Sequence, residues 1–107
     1  MNLVEQNRKA IVALCEKHDV QQLYIFGSVL ADSFNPKSDV DFLVQFNNVD
    51  AFLYFDNFMN LKERLPILLK REIDLIENQS IKNPVFRRVI DREKVLIYER
   101  KSFEVPV

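Results

Sequence analysis

The 107-residue chain contains a single glycine, Gly27. A compact domain of this length would ordinarily carry about seven, so this one position must be read closely. Gly27 lies in Tyr24-Ile25-Phe26-Gly27-Ser28, directly after an apolar stretch. A residue without a side chain there lets the backbone turn sharply or approach a ligand.

Apolar residues make up 48% of the chain, and 15 basic side chains nearly balance 16 acidic ones. That is the composition of one ordinary globular domain and excludes a disordered tail. No apolar run approaches the roughly 18 residues of a membrane helix, and the opening MNLVEQNRKA lacks the layout of a signal peptide. A cytoplasmic protein with no membrane partner is expected. The lone Cys15 allows no internal disulfide and offers no thiolate cluster for zinc. A net charge of −1 argues against extended nucleic-acid binding, which needs a surplus of Lys and Arg, while small nucleotides remain open. A chain of this size buries a little over ~60% of its unfolded surface, enough for one core. Residues 1–107 are therefore expected to form a single domain, and a large acceptor must bring its own surface.

Leu3, Val4, Ile11, Leu14 and Cys15 recur at helical spacing and predict a first helix over residues 2–18. Gln22 to Phe26 is short, β-branched and aromatic, and reads as a buried strand stopped by Gly27. Ser28 is suited to cap a brief helix over Val29 to Ala31, and the turn-rich residues 32–38 read as a loop. From Asp39 to Phe46 the order DVDFLVQF predicts a second strand. Val40, Phe42, Val44 and Phe46 take one face, and Asp39, Asp41, Leu43 and Gln45 the other. A second long helix over 50–64 is apolar on most sides, with Pro66 expected to kink or restart it. Arg71 to Glu77 suggests a third strand, Asn83-Pro84 opens a helix to about Arg92, and Val95 to Tyr98 forms a last strand. The order implies an α/β fold, a small mixed sheet of three to four strands with helices packed against it.

A lone Asp-x-Asp is weak evidence, because eight aspartates in this chain supply roughly 0.6 such pairs by chance. Given the only glycine at 27, however, independent placement puts Ser at 28 and Asp at 39 and 41 with a probability of about 3 in 10,000. The pieces suit a metal-bound triphosphate. Free backbone N–H groups after Gly27 and the Ser28 hydroxyl offer donors to phosphate oxygens. Asp39 and Asp41, two residues apart on one strand face, can both ligate magnesium, which favours carboxylates and keeps other positions for water and phosphate. Asp74, on the next predicted strand, is the leading third ligand, with Glu72 as the alternative. Two carboxylates ~4 Å apart repel by about 4 kcal/mol at an effective dielectric of 20, a conflict that a cation resolves. Two magnesium ions roughly 3.5–4 Å apart would stabilise in-line attack at an α-phosphate.

Gly-Ser, ten residues, Asp-x-Asp and a later Asp in an apolar strand resemble the minimal nucleotidyltransferase family of the DNA polymerase β-like superfamily, from the leading helix to the final LIYE strand. The resemblance implies that fold, and phosphate binding by Gly27 and Ser28. It also implies that Asp39 and Asp41 hold Mg2+, with Asp74 completing the catalytic triad and ATP as substrate. Members are commonly antitoxins paired with a HEPN-domain partner, and some transfer AMP to a tyrosine of that toxin, which implies a homo- or hetero-oligomer. One departure stands out: the family continues Gly-Ser-x-Ala-Arg-Gly, whereas Val29, Leu30, Ala31 and Asp32 occupy these positions. The alternative reading is an antitoxin or interaction module that neutralises a HEPN partner by binding alone.

Blander readings stand beside these. A tight turn explains Gly27, and a solvated strand face explains Asp39 and Asp41. Lys37, Arg87 and Arg88 are placed to meet phosphate but read more simply as solvated cations. His18 suits a helix carboxyl end better than a metal, and Cys15 reads as core. The aromatic helix around Phe52, Tyr54, Phe55 and Phe58 reads equally as a generously supplied core or as a partner surface; because a small sheet cannot easily cover a helix apolar on most sides, a protein interface is the expectation.

Overall fold

A computed structural model describes residues 2–27 and 39–100. The described elements run α1 (Asn2–Gln6), α2 (Arg8–Lys17), β1 (Val20–Phe26), β2 (Val40–Phe46), α3 (Ala51–Leu69), β3 (Ile73–Glu77), a 3-10 turn (Asn78–Ser80), α4 (Pro84–Glu93) and β4 (Val95–Glu99). The expected α/β class with a four-stranded mixed sheet is what forms. The strand order is β3-β2-β1-β4. β1 is antiparallel to both β2 and β4, and β2 and β3 are parallel, so α3 is the crossover that parallel neighbours require.

Alternation along β2 divides the molecule into two faces. Val40, Phe42, Val44 and Phe46 join Leu23, Ile25 and Ile97 in the main core, closed by Val4, Ile11 and Cys15 from the first two helices and by Leu61, Leu65 and Leu69 from α3. On the opposite face Phe26 and Leu43 meet Ile90 of α4, with Tyr24, Ile76 and Ile81 packed around them. The second cluster is smaller. Asp41 belongs to its side of the sheet.

Two helices depart from the sequence expectation, each for a local reason. The first helix breaks at Asn7, where the side-chain Nδ2 donates to the Leu3 carbonyl (2.8 Å) and the backbone N–H shifts to the Val4 carbonyl (3.1 Å). The side chain has taken the acceptor that an unbroken helix would give to the main chain. The second long helix neither stops nor restarts at Pro66 but continues to Leu69. Proline lies in the last turn, where its carbonyl still accepts from Arg71 N–H (3.1 Å), and the buried Leu65 and Leu69 hold the turn against the core. Lys70 then ends the helix in the left-handed conformation, φ 54°.

Caps follow the sequence more closely. Asp50 Oδ1 accepts from Leu53 N–H (2.9 Å) at the start of α3, and Asn83 Oδ1 accepts from Val85 N–H (2.9 Å) and Phe86 N–H (3.1 Å) at the start of α4. His18 Nδ1 meets the Leu14 carbonyl (2.8 Å), closing the end of α2. The imidazole is buried, serving the helix end as expected.

Candidate active site

The site begins where β1 ends. Phe26, the last residue of β1, pairs with Asp41 of β2, and Asp41 pairs in turn with Asp74 of β3. Neighbouring strands lie about 4.8 Å apart, so the parallel register brings two aspartates side by side on the α4 face. Two strand residues 33 positions apart thereby become neighbours through one pairing step. Asp39 stands exposed just before β2, and Val40 N–H donates to the Glu72 carbonyl (3.2 Å), joining the two strand beginnings.

Gly27 follows immediately, with φ +77°. A Cβ at this position would fall well inside van der Waals contact of Asp41 Oδ2. The glycine is therefore needed twice, for its left-handed backbone and for the space that the carboxylate occupies. Burial raises the Asp41 pKa first, and the charges of Asp74 and Asp39 raise it further. Like charges drawn together and partly buried in this way, with a carboxyl pKa raised in consequence, are a mark of functional sites.

The donor chemistry suits magnesium. Hard carboxylate oxygens on adjacent strands, with the Asp41 carboxylate lying in the space that a side chain at 27 would take, match an ion that takes one or two carboxylates and completes its shell with water and phosphate. Among the described residues, no three carboxylate, imidazole or thiol side chains are grouped so as to hold an ion by themselves. Of the alternatives for the third carboxylate, Asp74 is the one opposite Asp41, whereas Glu72 precedes β3.

Other candidates separate clearly. Ser28, the brief helix expected at 29–31, Lys37 and the tail from 101 lie outside the described residues. Arg87 is held structurally, its Nη1 donating to Asn78 Oδ1 (2.7 Å) and lying 3.3 Å from Asp91 Oδ1. Asn78 Nδ2 passes the connection to Gln45 Oε1 (3.0 Å), fastening α4 to the end of β2 remote from the aspartates. Arg88 is exposed. Cys15 is fully buried and its thiol is pushed up to about 12, chiefly by burial.

One residue on this face escaped sequence reasoning. Phe86, in the first turn of α4, remains partly exposed and meets Phe26 edge-on, with ring centroids 6.5 Å apart. The Asn83-Pro84 cap fixed its place near the helix start, but only the fold brings it beside the strand that ends at Gly27. At the far end of the sheet, a pocket of about 450 Å3 is lined by Gln45, Phe46, Asn47, Tyr54 and Gln79. Tyr54 donates there to Glu77, and burial together with that carboxylate raises its pKa.

Comparison with known proteins agrees with this geometry. The profile of the family described as polymerase beta, nucleotidyltransferase matches residues 9–103. Protein adenylyltransferase MntA of Thermococcus cleftensis is 33% identical over 84 residues, 78% of this chain and 81% of that protein. A solved structure assigned as a minimal nucleotidyltransferase superposes with a TM-score of 0.70 at 28% identity, covering 86% of this chain and 90% of the other. A Shewanella oneidensis MNT antitoxin, solved in complex with its tri-AMPylated HEPN toxin, shares the fold: TM-score 0.58, 19% identity, 90% of this chain and 72% of the other.

Proposed function

This chain belongs to the polymerase β nucleotidyltransferase family, and we propose that it transfers AMP from magnesium-bound ATP to a hydroxyl of a HEPN-domain protein, as the antitoxin of a toxin-antitoxin pair. The observation that carries the reading is the Asp41–Asp74 register pair with Gly27 set against the Asp41 carboxylate. An adenylyltransferase relative and the likeness to an antitoxin solved with its modified toxin support the substrate and the acceptor.

In this reaction the acceptor oxygen attacks the α-phosphorus, one O–P bond forms, the bond from the α-phosphorus to the bridging oxygen breaks, and pyrophosphate leaves. Gly27 and Ser28 bind the phosphates. Asp39 and Asp41 would hold the metal, and Asp74 would complete the set and take the proton of the attacking hydroxyl. Bound magnesium would supply charge stabilisation to the oxygens that enter and leave. Residues 1–107 act as one catalytic domain, and the partner supplies the acceptor surface. No helix among the described residues is long and apolar enough to cross a membrane, which accords with a cytoplasmic setting.

A second reading, neutralisation by binding alone, is favoured by Leu30, Ala31 and Asp32 standing where the family has Ala-Arg-Gly, since the missing arginine removes a cation near the phosphates. One experiment separates them. The protein, its HEPN partner, labelled ATP and magnesium are combined, and Asp39→Asn and Asp41→Asn are run beside the wild type. Label on the partner that disappears in the variants is expected; protection from toxicity with no label on the partner would establish binding alone.

A further inference from the structure

Phe26, Asp41 and Asp74 form one row across the α4 face of the sheet, each the register partner of the next. The row has two unlike ends. β3, which carries Asp74, is the outermost strand, so an acceptor reaches that carboxylate from beyond the sheet edge. On the other side of Asp41 stands Phe26, followed at once by Gly27, the position read above as a phosphate contact. In-line displacement sets the acceptor oxygen and the departing pyrophosphate on opposite sides of the α-phosphorus. With those two directions taken by the row, the nucleoside leaves across it, and the described element that stands beside the row on this face is α4.

Phe86 offers a flat apolar surface there. Its ring is 41% exposed although it meets Phe26 at 6.5 Å and an interplanar angle of 74°. An edge-to-face contact engages at most one face of either ring, so a face of Phe86 is left for another flat group. The backbone beneath it is fixed on both sides. Asn83 Oδ1 accepts from the Phe86 N–H (3.1 Å), Arg87 is fastened to Asn78 (2.7 Å), and Ile90, one turn on, is buried against Phe26 and Leu43. A ring held in this way loses little freedom when a planar ligand covers it.

We propose that Phe86 is the platform on which the adenine of ATP stacks, so that α4 carries the nucleoside side of the site while the β3 edge receives the acceptor; the proposal rests on the AMP-transfer reading above. Every nucleobase has a π-face, so such a platform strengthens nucleotide binding without choosing the base. Phe86 is thereby a binding residue for the base, remote from the bonds that form and break.

The test compares magnesium-dependent binding of ATP and of inorganic tripolyphosphate, which has the phosphates but no base, by calorimetry on the wild type, Phe86→Ala and Phe86→Trp. Phe86→Ala should weaken ATP about 10-fold or more and leave tripolyphosphate affinity unchanged, and Phe86→Trp should retain the wild-type affinity for ATP. In AMP transfer to the HEPN-domain protein encoded beside this chain, Phe86→Ala should raise the KM for ATP with kcat retained. Unchanged ATP affinity in Phe86→Ala would overturn the platform and leave the AMP-transfer reading intact. Equal weakening of ATP and tripolyphosphate would reduce Phe86 to a packing residue, and a raised KM for the HEPN-domain protein with ATP affinity retained would assign it to the acceptor; either result overturns the proposal. A wild type that neither binds ATP with magnesium nor labels the HEPN-domain protein would remove the AMP-transfer reading and the platform with it.

Discussion

The two faces of the sheet divide the labour unequally. The face under α1, α2 and α3 carries a continuous core in which Val4, Ile11, Leu23, Ile25, Phe42, Leu61 and Leu65 are all fully buried. The face under α4 has a cluster centred on Phe26, Leu43 and Ile90 and, beside it, a concentration of aspartates. One side supplies the free energy of folding, and the other spends part of it on holding like charges together. A domain this small keeps a repulsive site because a single sheet braces it from behind.

The largest expected effect lies on the aspartate face. Asp41→Asn should reduce AMP transfer by about a thousandfold or more, about 4 kcal/mol of barrier, read as label on the acceptor; retained activity would detach the chemistry from this register pair. Next comes the core. Leu61→Ala should destabilise by about 2–5 kcal/mol, and Leu43→Ala by less, because the smaller cluster and its partly exposed neighbours can close around the cavity. Each kcal/mol lowers the melting temperature of a domain this size by about 4–8 °C, so an equal loss at the two positions would break the comparison.

Gly27→Ala should cost about 1–3 kcal/mol, because alanine must adopt φ +77° and its Cβ meets Asp41. Its catalytic loss should exceed that of a core variant matched in stability, as transfer rates at equal folded fraction would reveal. The smallest effect has the opposite sign. Since the Asp41 pKa is raised in the folded state, its stabilising contribution is present below the ordinary carboxylate pKa and is lost as pH rises through the raised value. Asp41→Asn should therefore melt slightly above the wild type at pH 7, by about 0.5 kcal/mol or less given solvent screening, and the difference should vanish near pH 3. Melting curves across that range would show it.

Much of this division was legible in the sequence. The alternation of β2 separated Val40, Phe42, Val44 and Phe46 from Asp41 and Leu43, and the structure keeps that separation. The Asn83-Pro84 signature placed the start of α4 within one residue. Adjacency of the strand bearing Asp74 to the aspartate pair was expected, and the register meets it directly at Asp41. What the sequence concealed depended on competition between local and tertiary forces. Asn7 could as easily have faced solvent as taken the Leu3 carbonyl, and Pro66 reads as a breaker until Leu65 and Leu69 are known to be anchored. Phe86 drew no notice because its meaning depends on Phe26, 60 positions earlier, to which no periodicity points.

The solitary thiol of Cys15 gives the well-packed face a built-in reporter. Enclosed between α2 and the sheet and ionising only near 12, it is shielded from alkylating reagents while the native structure persists. Its labelling rate at neutral pH would then clock how often that half of the molecule opens, with no probe introduced.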